Sequence, residues 1–190
     1  MHVTLIAERY AKALFEMALE KNVMEDVHTD VLRLAVILQE NKSLKLFLRA
    51  PIINPGKKRN VMDEIIRGFN PVTVTFINLL IAKRRERTIP EITLQFIEQY
   101  NSYKNIVILK VVSAAPMSED LRTRLTSMMA GFTGANIQIN EEIDASVIGG
   151  FVLNWDDKQY DASILKQLER MRKGVARINL YVKGIDHGRH

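Results

Sequence analysis

Asn105-Ile106-Val107-Ile108-Leu109-Lys110-Val111-Val112 is the stretch on which the fold turns. It is a nearly unbroken β-branched and aliphatic run, and such a run suits a strand better than a helix. Before it the apolar residues recur with helical period. After it strand and helix patterns alternate. The chain therefore changes class near residues 104–106, with no Gly/Ser linker to announce the boundary. No internal repeat or low-complexity segment is visible.

Upstream, Ile6, Tyr10, Ala13, Leu14 and Met17 share one face of a first helix, and Val27, Val31, Leu34 and Leu38 share one face of a second. A short third helix over 43–49 stops before Pro51, because a proline disfavours helical geometry in the residue preceding it. Three further starts carry the same punctuation: Asn54-Pro55, Asn70-Pro71 and Thr88-Ile89-Pro90. Proline at the first turn wastes no hydrogen bond, and Asn or Thr before it can cap free donors. The apolar faces of these helices are Val61, Ile65 and Phe69; Val72, Phe76, Leu79 and Leu80 with Lys83; and Ile89, Thr93, Phe96, Ile97 and Tyr100. Six helices with short links predict a bundle over residues 1–105.

Downstream, Ser118-Glu119-Asp120 opens a helix with Leu121, Leu125, Met128, Met129 and Phe132 on its apolar face, and Gly131 and Gly134 are available to end it. Ile137, Ile139, Glu141 and Ile143 alternate as a strand does. Val147–Trp155 reads as another strand containing Gly149-Gly150, followed by a turn at Asp156-Asp157-Lys158. Asp161 is placed to cap a last helix carrying Ile164, Leu165, Leu168 and Met171. The fold class is α+β overall: the helical bundle, then a small α+β domain over 106–173 and a tail over 174–190.

Composition narrows the function. The chain has 190 residues and no cysteine, which excludes disulfides, thiolate metal sites and cysteine nucleophiles. Its formal charge is +5, with 16 basic and 12 acidic residues before Ile106 and 11 and 10 after. The excess is gathered in Lys57-Lys58-Arg59 and in Lys83-Arg84-Arg85-Glu86-Arg87. The longest uncharged apolar-leaning run, Pro71–Ala82, has 12 residues, whereas a spanning helix needs about 20. Glu8, Arg9 and Lys12 interrupt any secretory signal. A soluble cytoplasmic chain is expected, meeting a membrane only indirectly.

Catalytic chemistry finds little support. His2, His28, His187 and His190 match no metal-ligand spacing, and Gly131-Phe132-Thr133-Gly134 lacks the context of a phosphate loop. Serines 113, 118, 146 and 163 have no histidine nearby in sequence. Glu141, Glu142 and Asp144 could form a carboxylate cluster or a polar strand edge. No catalytic, cofactor or metal site is expected. The Lys83–Arg87 cluster ends a helix, where cations favour the negative dipole end; it would also serve a helical nucleic-acid-associated protein. Gly149-Gly150 marks either a close approach of another part of the chain or a partner docking there.

The motifs together resemble a known family. Arg9-Tyr10-Ala11-Lys12-Ala13-Leu14-Phe15-Glu16 resembles the opening of the delta subunit of bacterial F-type ATP synthases, relatives of the mitochondrial oligomycin-sensitivity-conferring subunit. Phe47-Leu48-Arg49-Ala50-Pro51, Phe76-Ile77-Asn78-Leu79-Leu80 with Lys83-Arg84-Arg85, Val111–Ser118, and Ile143–Phe151 with Asp161-Ala162-Ser163-Ile164 continue the likeness in order, to about Lys173. The resemblance implies a non-catalytic stator adaptor on the cytoplasmic face of the bacterial plasma membrane. It implies that a groove between the first and fifth helices takes the N-terminal helix of an alpha subunit. Carried onto this chain, the lining is Tyr10, Ala13, Leu14 and Met17 with Phe76, Leu79, Leu80 and Lys83. It implies that the second domain takes the C-terminal end of the b-subunit peripheral stalk, near Gly149, Gly150 and Phe151 and at the final helix. No nucleic-acid partner follows from the resemblance.

Overall fold

A computed structural model describes residues 2–147, 149–155, 157–164 and 166. The chain divides into two compact units, Met1–Lys104 and Asn105–His190.

The first unit is helical: α1 (His2–Glu20), α2 (Met24–Glu40), α3 (Lys42–Arg49), α4 (Pro55–Ile65), α5 (Pro71–Ala82) and α6 (Ile89–Tyr103), with a 3-10 turn at Glu86–Thr88. Asn54 and Asn70 cap α4 and α5 as their sequence position suggests, each side chain accepting from the backbone N–H two residues on. Asp30 reinforces the second cap from α2, accepting from Asn70 N at 2.7 Å and from Thr73 Oγ1 at 2.9 Å. Thr88 makes no cap: its hydroxyl donates back to Arg85 O.

Two helices bury a different face from the one expected. On α1 the core residues are Ala7, Ala11, Leu14 and Ala18, one position round from Ile6, Tyr10, Ala13 and Met17. The three alanines let α1 approach its neighbours closely, and α6 is one of the helices it packs against. On α4 the core residues are Lys58, Met62 and Ile66, while Val61 is exposed and Ile65 half-buried. The face of α2 is as read, with Val27, Val31, Leu34 and Leu38 buried; on α6 Ile89, Thr93, Phe96 and Tyr100 are buried as read, whereas Ile97 is half-buried and Ile92 joins the core.

The second unit holds β1 (Ile106–Ser113), α7 (Glu119–Thr133), β2 (Asn136–Ile143), β3 (Phe151–Trp155) and β4 (Lys158–Asp161). The sheet order is β2-β1-β3-β4. β1 and β2 run parallel, which requires a crossover, and α7 supplies it. Ser118 caps α7, and Gly134 ends it at φ 69°, a left-handed conformation that glycine adopts without strain. Gly131 lies inside α7. Leu109 and Val111 of β1, Leu125 and Met129 of α7 and Leu153 of β3 form the core.

Three expectations change in this unit. The strand expected from Val147 begins only at Phe151, so Gly149 and Gly150 precede β3 and are not inside it. β4 pairs antiparallel with β3 as a hairpin where only a turn had been read. Asp161 accepts from Ser163 N, and Ser163 Oγ accepts from Lys166 N, so the capping oxygen belongs to Ser163. Leu165, Leu168 and Met171 of the expected last helix, and the tail 174–190, lie outside the described residues.

Candidate partner-binding surfaces

α1 and α5 pack against each other, and the Tyr10 ring meets Phe76 edge-on at 6.4 Å between centroids. Leu14, Phe76 and Leu80 are core residues, with Leu80 0% exposed, so none of the three is available at the surface. What remains are two stripes. On α1, Tyr10 and Met17 are half-buried and Ala13 is exposed. On α5, Leu79 is 46% exposed and Lys83 is exposed, three and seven residues beyond Phe76. An apolar helix of a partner could lie along such a surface with its polar edge toward Lys83.

The two basic clusters resolve unexpectedly. Lys58 is only 2% exposed. Its ammonium donates to Leu48 O at 2.8 Å and to Glu86 Oε1 at 2.6 Å, so one cation of the first cluster pairs with the single acid of the second. Sequence reasoning missed this pair. Its trace was the spacing Lys58, Met62, Ile66, which places the lysine on the buried face of α4. Three of the four cations of the second cluster, Arg84, Arg85 and Arg87, border a cleft of about 330 Å³ with no aromatic ring among the described residues that line it. Stacking on bases is therefore not offered at this cleft.

In the second unit, Gly149, Gly150 and Phe151 face the segment Ser113–Ser118 across a cavity of about 480 Å³. Two motifs far apart in the chain meet there because Ser113 pairs with Phe151 in the β1–β3 register. Glu141 braces the Ser113–Ser118 segment from β2. Its carboxylate accepts from Met117 N at 2.5 Å and from the Arg122 guanidinium at 2.7 Å. The supposed carboxylate cluster is dispersed accordingly: Glu142 pairs with Lys110, and Asp144 accepts from Ser146 N, which holds its carboxyl below the usual range.

The two glycines answer a packing need within the chain. A Cβ on Gly150 would lie 2.4 Å from Ala162 O, and one on Gly149 would lie 2.6 Å from Ile164 Cδ1. Gly150 also sits at φ 77°. Hydrogen bonds from Ala162 N to Phe151 O and from Ile164 N to Gly149 O tie the two strands of chain together.

A third cluster lies in the first unit. His28 stacks on Tyr100 with ring centroids 3.5 Å apart and planes 7° from parallel. The Tyr100 hydroxyl donates to Glu25 Oε2 at 2.5 Å, and Lys104 pairs with Glu25 Oε1 at 2.6 Å. These hydrogen bonds, from Lys104 first and Tyr100 next, hold the Glu25 carboxyl below its ordinary value. Burial pushes the His28 imidazolium down. Among the described residues no helix is long and apolar enough to cross a membrane.

The sequence profile described as ATP synthase delta (OSCP) subunit matches residues 6–175. A chain named ATP synthase subunit delta from Carboxydothermus hydrogenoformans is 32% identical over 170 residues, covering 90% of this chain and 96% of the relative. One of the same name from Desulfitobacterium hafniense strain Y51 is 34% identical over 172 residues, again covering 90% and 96%. A chain in the Toxoplasma gondii mitochondrial ATP synthase hexamer shares the fold, with a TM-score of 0.68 at 19% identity, covering 90% of this chain and 97% of that one. Profile, relatives and fold agree over nearly the whole length: the chain belongs to the ATP synthase delta (OSCP) subunit family and is a non-catalytic subunit of that complex.

Proposed function

We propose that this chain is the stator adaptor that ties the catalytic head of an F-type ATP synthase to its peripheral stalk. A rotor turning inside the head exerts an equal and opposite torque on it. ATP synthesis needs the head held still, and a subunit that binds both head and stalk does so without chemistry of its own. The helical unit takes the N-terminal helix of an alpha subunit along Tyr10, Ala13, Met17, Leu79 and Lys83. The second unit takes the C-terminal end of the b-subunit stalk at the cavity beside Gly149, Gly150 and Phe151. The chain then works at the cytoplasmic face of the bacterial plasma membrane and meets the bilayer only through the stalk.

The observation that carries this reading is the seam at Tyr10 and Phe76. It is flanked by Leu79, a large apolar side chain 46% exposed on a helix whose neighbours Phe76 and Leu80 are buried. Calorimetric titration of the full chain with a peptide of about 20 residues from an alpha-subunit N-terminus, beside a scrambled control, tests it. The expected result is saturable one-to-one binding with a negative heat-capacity change, the mark of apolar burial. A folded chain that leaves the peptide unbound would remove the head-binding role.

A further inference from the structure

We infer that the cleft between the α3–α4 loop and the turn Arg84–Arg87 is a second docking site, separate from the α1–α5 surface, for an acidic amphipathic segment of a partner protein. One wall is apolar, made by Pro51, Ile53 and Pro55, and beside it Ile52 is 96% exposed. The opposite wall is Arg84, Arg85 and Arg87, whose guanidiniums have no carboxylate partner among the described residues. Of the five cations lining the cleft, Lys58 is taken by Glu86 and Arg49 by Glu91, which leaves Arg84, Arg85 and Arg87 unmatched. That charge balance asks for an anionic occupant, and the guanidinium fork matches a carboxylate in geometry.

The buried pair does not neutralise that charge. Glu86 is 7% exposed and its Oε1 is taken by Lys58, which is itself 2% exposed. A protein segment brings both complements at once: carboxylates for the arginines and aliphatic side chains for the Pro51–Ile53 wall. Inorganic phosphate would leave the apolar wall unused, and a nucleic-acid strand would find no ring to stack on.

The test uses the full ¹⁵N-labelled chain and a named probe, an amidated peptide of about 16 residues carrying Glu and Leu at helical spacing. Its controls are the same peptide with Lys for Glu, an oligothymidylate and sodium phosphate. The Glu/Leu peptide is expected to shift the amides of Ile52, Ile53 and Arg84–Arg87, with affinity falling steeply as salt rises. The double variant Arg84→Gln, Arg87→Gln, which alters two exposed side chains, should weaken binding about tenfold or more. Leu79→Glu should leave this binding intact, so loss of the α1–α5 site and loss of this one can be told apart. Four results overturn the proposal: shifts confined to other residues, equal affinity in the Gln variant, loss of binding in Leu79→Glu, or equal or tighter binding by the Lys peptide, the oligothymidylate or phosphate.

Discussion

The ammonium of Lys58 and the carboxylate of Glu86, 28 residues apart in the chain, meet 2.6 Å from each other inside the helical unit. The same ammonium also donates to Leu48 O, so one lysine joins α3, α4 and the turn after α5. Removing one member of a buried pair strands the other charge, whereas replacing both with apolar groups does not. Lys58→Met should therefore cost about 3–5 kcal/mol, and Lys58→Met with Glu86→Leu should recover most of it. Urea unfolding of the two variants and the wild type measures the difference. Equal losses in the single and the double variant would mean that the pair is not the source of the stability.

Leu79 and Leu80 are adjacent, one exposed and one fully buried, and they separate binding from folding. Leu79→Glu should weaken the alpha-peptide by about tenfold or more with little change in melting temperature. Leu80→Ala should cost about 2–5 kcal/mol of stability through the cavity it leaves. Calorimetry and thermal melting of both variants check this. Because Leu14 and Phe76 are core residues, substitutions there report on folding and are unsuitable for mapping the groove.

Gly150 meets Ala162 O closely and has φ 77°. Gly150→Ala adds a clash with backbone to an unfavourable conformation. A loss of about 1–3 kcal/mol is expected, confined to the second unit. Hydrogen exchange should show faster exchange at Val111 and Leu153 with no change at Leu34 or Phe96. Uniform acceleration across both units would refute the local account.

His28 predicts a pH dependence. Burial lowers its folded value below the ordinary 6.5, against the upward pull of Glu25, while Lys104 adds to the lowering and Tyr100 stacks on the ring. As pH falls, the unfolded chain takes up the proton first. Stability is thus full above pH 6.5 and declines as pH drops toward the folded value. The Glu25 carboxyl, lowered from 4.5, acts in a separate and more acidic window. Between about pH 7.5 and 5.5 the urea midpoint of the wild type should fall more than that of His28→Gln. Parallel declines would show that another group titrates there.

The caps at Asn54, Asn70 and Ser118, the prolines and the change of period at Asn105 were legible in the sequence because each is local, whereas Thr88 turns its hydroxyl back to Arg85 O. The rotations of α1 and α4 were not. Ala7, Ala11 and Ala18 are small enough to be passed over beside Ile6, Tyr10 and Met17, yet close helix packing is what selects them. The burial of Lys58 was not legible because its partner is distant in sequence and its place depends on α3 and on the turn after α5. The glycines stood out correctly as a close approach, and Gly150 meets the chain's own backbone at Ala162–Ser163, the first of the two readings. The hairpin of β3 and β4 was hidden by Lys158-Gln159-Tyr160-Asp161, an edge strand too polar to show a period.

The link between the units has a mechanical consequence. Only Lys104 and Asn105 separate the end of α6 from β1, and Asn105 is held by its carbonyl to Asn136 N and by its side-chain amide to Gly134 O. β1 is an interior strand, flanked by β2 and β3. Tension entering through the link reaches β1 at Ile106, where the strand is paired with β2 along its whole length and with β3 only from Lys110 onward. The second unit is thus entered through an interior strand, and the short edge strand β4 is reached only through β3.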